Sequence, residues 1–330
     1  MPRDVLIVGQ GIAGTLLGWE LERAGIPFEI VDAGHARSAS QVAAGMLTPI
    51  TGQRLVPGWR FDELLPVARA AYCEMETAWD VPLWRDMRVR RIFASDRERI
   101  IFREKSAAGL LGPHAGDADE EGFWIEGAAQ VDLSSLISSA RARWRGRGVL
   151  REGGFDWEGD FPSHELIVDC GGRAAGRFGF VPWEYSKGEI ISVRVDELDP
   201  RVILNRGHWI LPMAEGIARV GATHESGKTD VTPTPEARAA LEASASTILN
   251  RAFSIVDHQA GVRVNLPDRR PVAGRHPEMR RLGILNGLGA RGALFAPWLA
   301  RQWVNHLTEG VAFEAEIDVA RFWRRHWSQG

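Results

Sequence analysis

The sequence predicts a mixed α/β (α+β) protein of two domains, one built on a parallel sheet and one on an antiparallel sheet, each assembled from discontinuous segments. Three observations carry this. In "DVLIVGQGIAGTLLGWELERAGIPFEIVD" a strand, a glycine-rich turn, a helix and a second strand follow one another, the order of a parallel βαβ unit. The short runs "RVRRIFAS", "GEIISVRV", "HWILPM" and "IARVGAT" are β-rich and separated by Gly, Pro or charged turns, as in an antiparallel sheet. At 330 residues the chain is also longer than one ordinary domain. Because the β-rich runs interrupt the α/β material, residues 1–82, 127–180 and 256–330 are assigned to the first domain and 83–126 and 181–255 to the second.

The elements follow in order. Leu16, Leu17, Trp19, Leu21 and Ala24 recur near helical spacing, and Gly25 and Pro27 end that helix because neither continues one well. "FEIVD" then resumes an extended apolar run. "DLSSLISSARARW" predicts a second helix with Asp132 as its N-cap and Leu133, Leu136, Ile137, Ala140 and Trp144 on one face. A strand, "ELIVDC", and the pair Gly171-Gly172 come after it. "TPEARAALEASASTILNRAF" reads as an amphipathic helix, and the chain closes with strand "LGILNG", a glycine-rich turn and helix "ALFAPWLARQWVNHL". No internal repeat is visible.

Composition narrows the function classes. A hydrophobic content of 45% and a charged content of 25% are those of a folded globular protein. The formal net charge of -3 supplies no broad attraction for nucleic acid, so no nucleic-acid partner is expected. The arginine runs "RDMRVRR" and "RARWRGRG" are expected to be solvated faces of a strand and a helix. Cys73 and Cys170 are the only cysteines, which argues against a disulfide framework or a zinc site, and no metal is expected. The glycine turn starts so near the beginning that no leader is expected, and no apolar run is long enough for an integral membrane segment. A cytoplasmic location follows as the expectation.

Gly9, Gly11 and Gly14 form G-x-G-x-x-G around Ile12 and Ala13, between a predicted strand and a predicted helix, the context that a dinucleotide-binding, Rossmann-like fingerprint requires. Gly9 permits the tight turn, Gly11 lets the backbone approach a pyrophosphate, and Gly14 allows close helix–strand packing. The helix N-terminus attracts the phosphates. Asp32, followed by Ala33, ends the second strand 18 residues past Gly14, near the ~20 expected for a carboxylate that receives a ribose hydroxyl. The fingerprint does not separate FAD from NAD, and an NAD(P)-dependent dehydrogenase remains an alternative at this point.

Later motifs address that choice. The segment "SASQVAAGMLTPITGQR", with Ser40 ahead of the small-residue turn Ala43, Ala44, Gly45 and Met46, resembles the D-amino-acid oxidase superfamily of flavoproteins, especially its glycine-oxidase-like branch. "HWILPMAEGIARVGATHE", "AGVRVNLPDRRPVAGRHP" and "NGLGARGALFAP" resemble further segments of that family in the same order and spacing. The resemblance implies FAD in the first domain, with the AAG turn beside the isoalloxazine, where small side chains let main chain approach a flat ring. It adds Gly171 and the closing turn Gly289, Ala290, Arg291, Gly292 and Ala293 to the expected cofactor contacts. That closing turn precedes a helix, and its amides suit the negative charge that reduced flavin accumulates.

The resemblance also implies a substrate-side set. Arg263 falls where this branch clamps a substrate carboxylate, for which a planar guanidinium fork is well shaped. Arg291 falls at a second active-site arginine position. Trp209 stands where the branch often has a tyrosine, and His224 follows the GAT segment and is expected to face the substrate. Val42 precedes the AAG turn where some members carry a flavin-linking histidine, and no cysteine follows Cys170, so FAD is expected to be held non-covalently. In some relatives a lysine near the flavin assists reaction with oxygen, and on the matching strand this chain has Arg219. The implied activity is oxidation of the C–N bond of a small amine or amino acid by hydride transfer to flavin N5, with oxygen or another electron acceptor. A flavin-dependent tRNA-modification enzyme acting on an aminomethyl group is the alternative within the same resemblance.

Overall fold

A computed structural model describes residues 4–34, 38–159, 163–173 and 177–327. The predicted βαβ unit forms strand Val5–Val8, helix Ile12–Arg23 and strand Phe28–Asp32. The two strands pair in parallel, Val5 opposite Phe28 and Val8 opposite Val31. Strand Leu166–Asp169 lies on the other side of Val5–Val8 and strand Leu282–Asn286 beyond it, both parallel. Val272–Arg275 is an antiparallel edge, and Leu150–Glu152 closes the opposite edge of a six-stranded sheet.

Alternation along these strands separates two cores. Val5 and Ile7 face helices Ile12–Arg23, Phe61–Trp79, Leu133–Gly146 and Gly292–Glu309. Leu6 and Val8 face Phe178, Val181, Leu266 and Val319. Helix Ile12–Arg23 is buried continuously from Ile12 to Leu21, as a helix enclosed by neighbours must be. Asp132 caps the helix after it as expected, accepting the Ser135 amide at 3.0 Å.

The second sheet has ten strands. Its centre consists of the antiparallel strands Glu184–Arg194, Ile217–Gly221 and His208–Pro212, and strand Ser254–Asn265 pairs along the whole of Glu184–Arg194. One parallel pair interrupts the antiparallel pattern, Val202–Arg206 against Trp84–Ile92. Helix Pro235–Leu249, started by the Thr234 hydroxyl on the Ala237 amide, packs Leu241, Ala245 and Ile248 onto Ile191, Val193, Ile210 and Val220. The opposite face of these strands carries Ile190, Trp209 and Arg263. The boundary drawn at 255/256 falls inside strand Ser254–Asn265, and the one at 126/127 inside strand Gly122–Val131; both strands belong to the ten-stranded sheet.

Helices Phe61–Trp79 and Asp96–Ala107 were not anticipated. The arginine runs also need correction. Arg91 is buried and donates through Nε to Glu98 at 2.9 Å. Arg141 is buried against Asp32. Both were expected in solvent, but a buried carboxylate opposite each makes burial of the cation tolerable.

Candidate active site

The first glycine turn has the shape its residues demand. Gly9 takes φ +98°, and a Cβ there would lie 2.9 Å from the Cys170 carbonyl oxygen. A Cβ on Gly14 would lie 2.0 Å from the Gly9 carbonyl oxygen, so helix and turn are in contact through the missing side chain. The helix opens at Gly11, which has no side chain to cap it, and carries no acidic residue in its first turn, so its positive end attracts an anion. Ser40 accepts the Ile12 amide at 3.0 Å and thereby fixes that end.

Asp32 is held from three sides. Its Oδ2 accepts the Gln10 amide at 2.8 Å, and its Oδ1 accepts the Gly34 amide and the Arg141 guanidinium, each at 3.0 Å. A carboxylate accepts about four hydrogen bonds, which leaves capacity for a ribose hydroxyl. Arg141 also donates to Gln10 and to Glu152. Its Nη1 is thus shared between Asp32 and Gln10 and its Nη2 reaches Glu152, while Nε has no partner among the described residues.

The second glycine turn meets the first. Gly289 takes φ +55°, with Asn265 Oδ1 only 2.4 Å from where its Cβ would be. Helix Gly292–Glu309 starts at Arg291, again without a side-chain cap or an acidic first turn. A Cβ on Gly292 would come within 3.2 Å of Ile12 Cγ2. Both helix N-termini therefore border one cavity of about 660 Å³, within the usual range for a ligand site.

Most of the expected cofactor residues line this cavity. Gly9, Gly11, Ile12, Ala13, Asp32, Ala33 and Ser40 border it, as do Ala43, Ala44, Gly45 and Met46. Gly171, Gly289, Ala290, Gly292 and Ala293 complete the wall. Gly14 lies behind it, in its packing role. Gly153, Gly154, Phe155 and Trp157, which sequence reasoning missed, also contribute to the lining; their only signal was a glycine pair with two aromatics near it. Beneath Gly171, the wholly buried Asp169 accepts the Gly171 amide at 2.8 Å, and burial pushes its carboxyl up to about 7.

The far end of the cavity is formed by the ten-stranded sheet. Trp209 and Ile190 supply apolar wall, and a Cβ on Gly221 would meet the two of them at 2.8 and 2.9 Å. Arg263 lies flat over Gly188, whose Cβ would be 2.3 Å from both terminal guanidinium nitrogens. Its hydrogen bond within the protein goes to the Thr223 carbonyl at 3.3 Å. Among the described residues no carboxylate pairs with it, and burial holds its pKa below the usual arginine range. Gly188 was not foreseen, although a glycine inside a strand signals close approach.

Two expected substrate residues are not in the cavity wall. Arg291 is half-buried with its guanidinium 5.9 Å from the Phe295 ring. His224 is exposed, its Nε2 3.5 Å from the Ser226 hydroxyl. Desolvation, then the charges of Arg263 and Arg269, keep its imidazole pKa low.

Two anion-attracting helix ends, a spare acceptor on Asp32 and glycine cradles along one cavity fit FAD. A family model described as FAD dependent oxidoreductase, DAO, matches residues 4–305. The chain belongs to this family. It is 24% identical to the glycine oxidase of Pseudomonas aeruginosa, over 90% of this chain and 92% of that protein. It is 32% identical to the tRNA 5-methylaminomethyl-2-thiouridine biosynthesis bifunctional protein MnmC of Maricaulis maris, over 93% of this chain but 52% of that protein. Among solved structures, iminodiacetate oxidase (IdaA) from Chelativorans sp. BNC1 superposes with a TM-score of 0.78 at 21% identity, covering 95% of this chain and 98% of that one. As a DAO-family member the protein is an FAD-dependent oxidoreductase of the amine and amino acid oxidase type. Among the described residues no helix is long and apolar enough to cross a membrane.

Proposed function

We propose that the protein oxidises the C–N bond of a small amino acid or N-substituted amino acid, whose carboxylate is held by Arg263. The observation that carries this is a half-buried, partly desolvated guanidinium at the cavity wall with no carboxylate partner among the described residues. A desolvated cation is costly without a counter-ion, and a bound carboxylate would supply one in bidentate form. FAD, held non-covalently, supplies the two-electron acceptor. The chain supplies orientation: Arg263 fixes one end of the substrate, while Trp209 and Ile190 keep water from the reacting carbon. Among the described lining residues the ionisable ones are Asp32, Cys170, Arg173 and Arg263, and none near Arg263 is a carboxylate or histidine able to take a proton. In this reading the substrate enters as the neutral amine.

Anaerobic mixing with a panel of amino acids, N-methyl amino acids and their decarboxylated counterparts tests this. Flavin absorbance should bleach with carboxylate-bearing members and not with the matching simple amines. Bleaching by simple amines alone would sink the proposal. Adding oxygen or an artificial dye afterwards identifies the electron acceptor. The 32% identity to MnmC favours a second reading, an aminomethyl substrate carried on tRNA. Such an enzyme binds bulk tRNA with strong salt dependence, which the net charge of -3 does not favour.

A further inference from the structure

The turn Val42–Met46 borders the cavity and leads into strand Met46–Leu47 at the edge of the ten-stranded sheet, and the carbonyls of Val42, Ala43, Ala44 and Gly45 are all received by that sheet. Arg219, on strand Ile217–Gly221, donates to the Val42 carbonyl and, at 2.9 Å, to the Ala43 carbonyl. Gln130 Nε2 donates to the Ala44 carbonyl at 3.3 Å, and the Val131 amide to the Gly45 carbonyl at 2.9 Å. Gln130 is itself oriented by Arg85, whose Nε donates to its Oε1 at 2.9 Å. Gly45 takes φ +71°, and a Cβ there would sit 2.0 Å from the Val131 carbonyl oxygen, so the turn is pressed against this sheet.

The peptide groups have two ends. Among the described residues the Ala43 amide bonds the Ala39 carbonyl at 2.9 Å, whereas the amides of Ala44 and Gly45 have no acceptor. Each of these two amides belongs to a peptide whose carbonyl is already bonded, the Ala43 carbonyl by a cation. A hydrogen bond to a carbonyl polarises the N–H of the same peptide, and more so where the donor is charged and the surroundings are dry. Arg219 is half-buried and has Asp257 and Asp132 as its nearby acidic groups.

We infer that Arg219 is a positioning residue for the flavin: its guanidinium straps the Val42 and Ala43 carbonyls to the ten-stranded sheet and, with Gln130 on the Ala44 carbonyl, leaves the Ala44 and Gly45 amides as polarised donors toward the flavin ring. This rests on the reading that the ring lies along this turn. The fixed charge behind the turn favours the electron-rich reduced flavin over the oxidised one. Arg219 thus contributes to both cofactor affinity and reduction potential, without touching substrate.

The test uses purified apoprotein titrated with FAD, followed by fluorescence, and potentiometry of the reloaded protein. Arg219→Met should weaken FAD binding about tenfold and lower the preference for reduced flavin about tenfold, roughly 30 mV for a two-electron couple. Arg219→Lys retains the charge but cannot span two carbonyls, so it should recover the potential and not the affinity. Asp32→Asn, at the other end of the cavity, should weaken FAD binding and leave the potential unchanged. If Asp32→Asn weakens FAD while both Arg219 variants keep wild-type affinity and potential, the inference is overturned. If Asp32→Asn has no effect on FAD, the underlying placement of the cofactor is what fails. Should Arg219→Met not fold, the potential and affinity of Arg219→Lys decide the matter on the same criteria.

Discussion

Replacing Arg263 by methionine should move stability and substrate affinity in opposite directions. The side chain contributes one long hydrogen bond to the protein, 3.3 Å to the Thr223 carbonyl, and no ion pair among the described residues. An unpaired cation in such a place costs folding free energy, and an apolar side chain of similar length removes that cost. A gain of about 1–2 kcal/mol is reasonable. With unfolding entropy near 2.1 cal/mol/K per residue, a chain of this size gains about 1.5 °C per kcal/mol, so the melting temperature should rise by ~1–3 °C. The carboxylate of the substrate loses two charged hydrogen bonds worth about 1.5–3 kcal/mol each. At 1.4 kcal/mol per decade this raises KM by roughly two to four decades. The assays are thermal melting of the FAD-loaded protein and anaerobic flavin reduction across a substrate range. Added acetate or benzoate should raise the melting temperature of the wild type and not of the variant. A variant that melts lower and retains carboxylate affinity would show that Arg263 is a structural cation, and the reasoning would be refuted.

Two further outcomes follow from the same geometry. Gly188→Ala places a methyl 2.3 Å from both terminal nitrogens of Arg263; the guanidinium must shift by about 1 Å, which typically costs ~100-fold in turnover efficiency, while the visible spectrum and FAD affinity stay as in the wild type. A KM for carboxylate substrates equal to that of the wild type would remove Gly188 from the site. Asp169, whose carboxyl is raised from 3.8 to about 7 by burial, binds its proton more tightly folded than unfolded, so its contribution to stability is present at low pH and is lost between about pH 4 and 7. Asp169→Asn should therefore be more stable than the wild type at pH 8, by up to a few kcal/mol, with the advantage gone at pH 4; equal urea midpoints for the two proteins at pH 8 would contradict this.

The local elements were legible because their causes are local. A glycine that must take a positive φ or touch a neighbouring carbonyl, as Gly9 and Gly14 do, leaves its mark within a few residues of the strand and helix it joins. The caps at Asp132 and Thr234 are likewise encoded three residues from the amides they receive. Helix Asp96–Ala107 escaped notice because it is strongly polar and buries little beyond Glu98 and Phe102, so hydrophobic spacing gave no signal. His224 and Arg291 matched family positions in order along the chain, but order does not fix where a side chain points.

By itself the sequence determined the βαβ unit, the dinucleotide fingerprint ending at Asp32, the small-residue turn and the closing glycine turn, and through them the family and its cofactor. Only the tertiary structure decided which arginines stay in solvent and which are drawn wholly or partly out of it. Arg141 reaches Asp32 across 109 residues, Arg219 reaches the Val42–Ala43 turn across more than 170, and Arg263 finds its seat on Gly188 through strand register. An arginine carries the same charge wherever it stands in the chain; its burial and its partners are set by sheet pairing, which joins residues with no mark of each other in their own neighbourhoods.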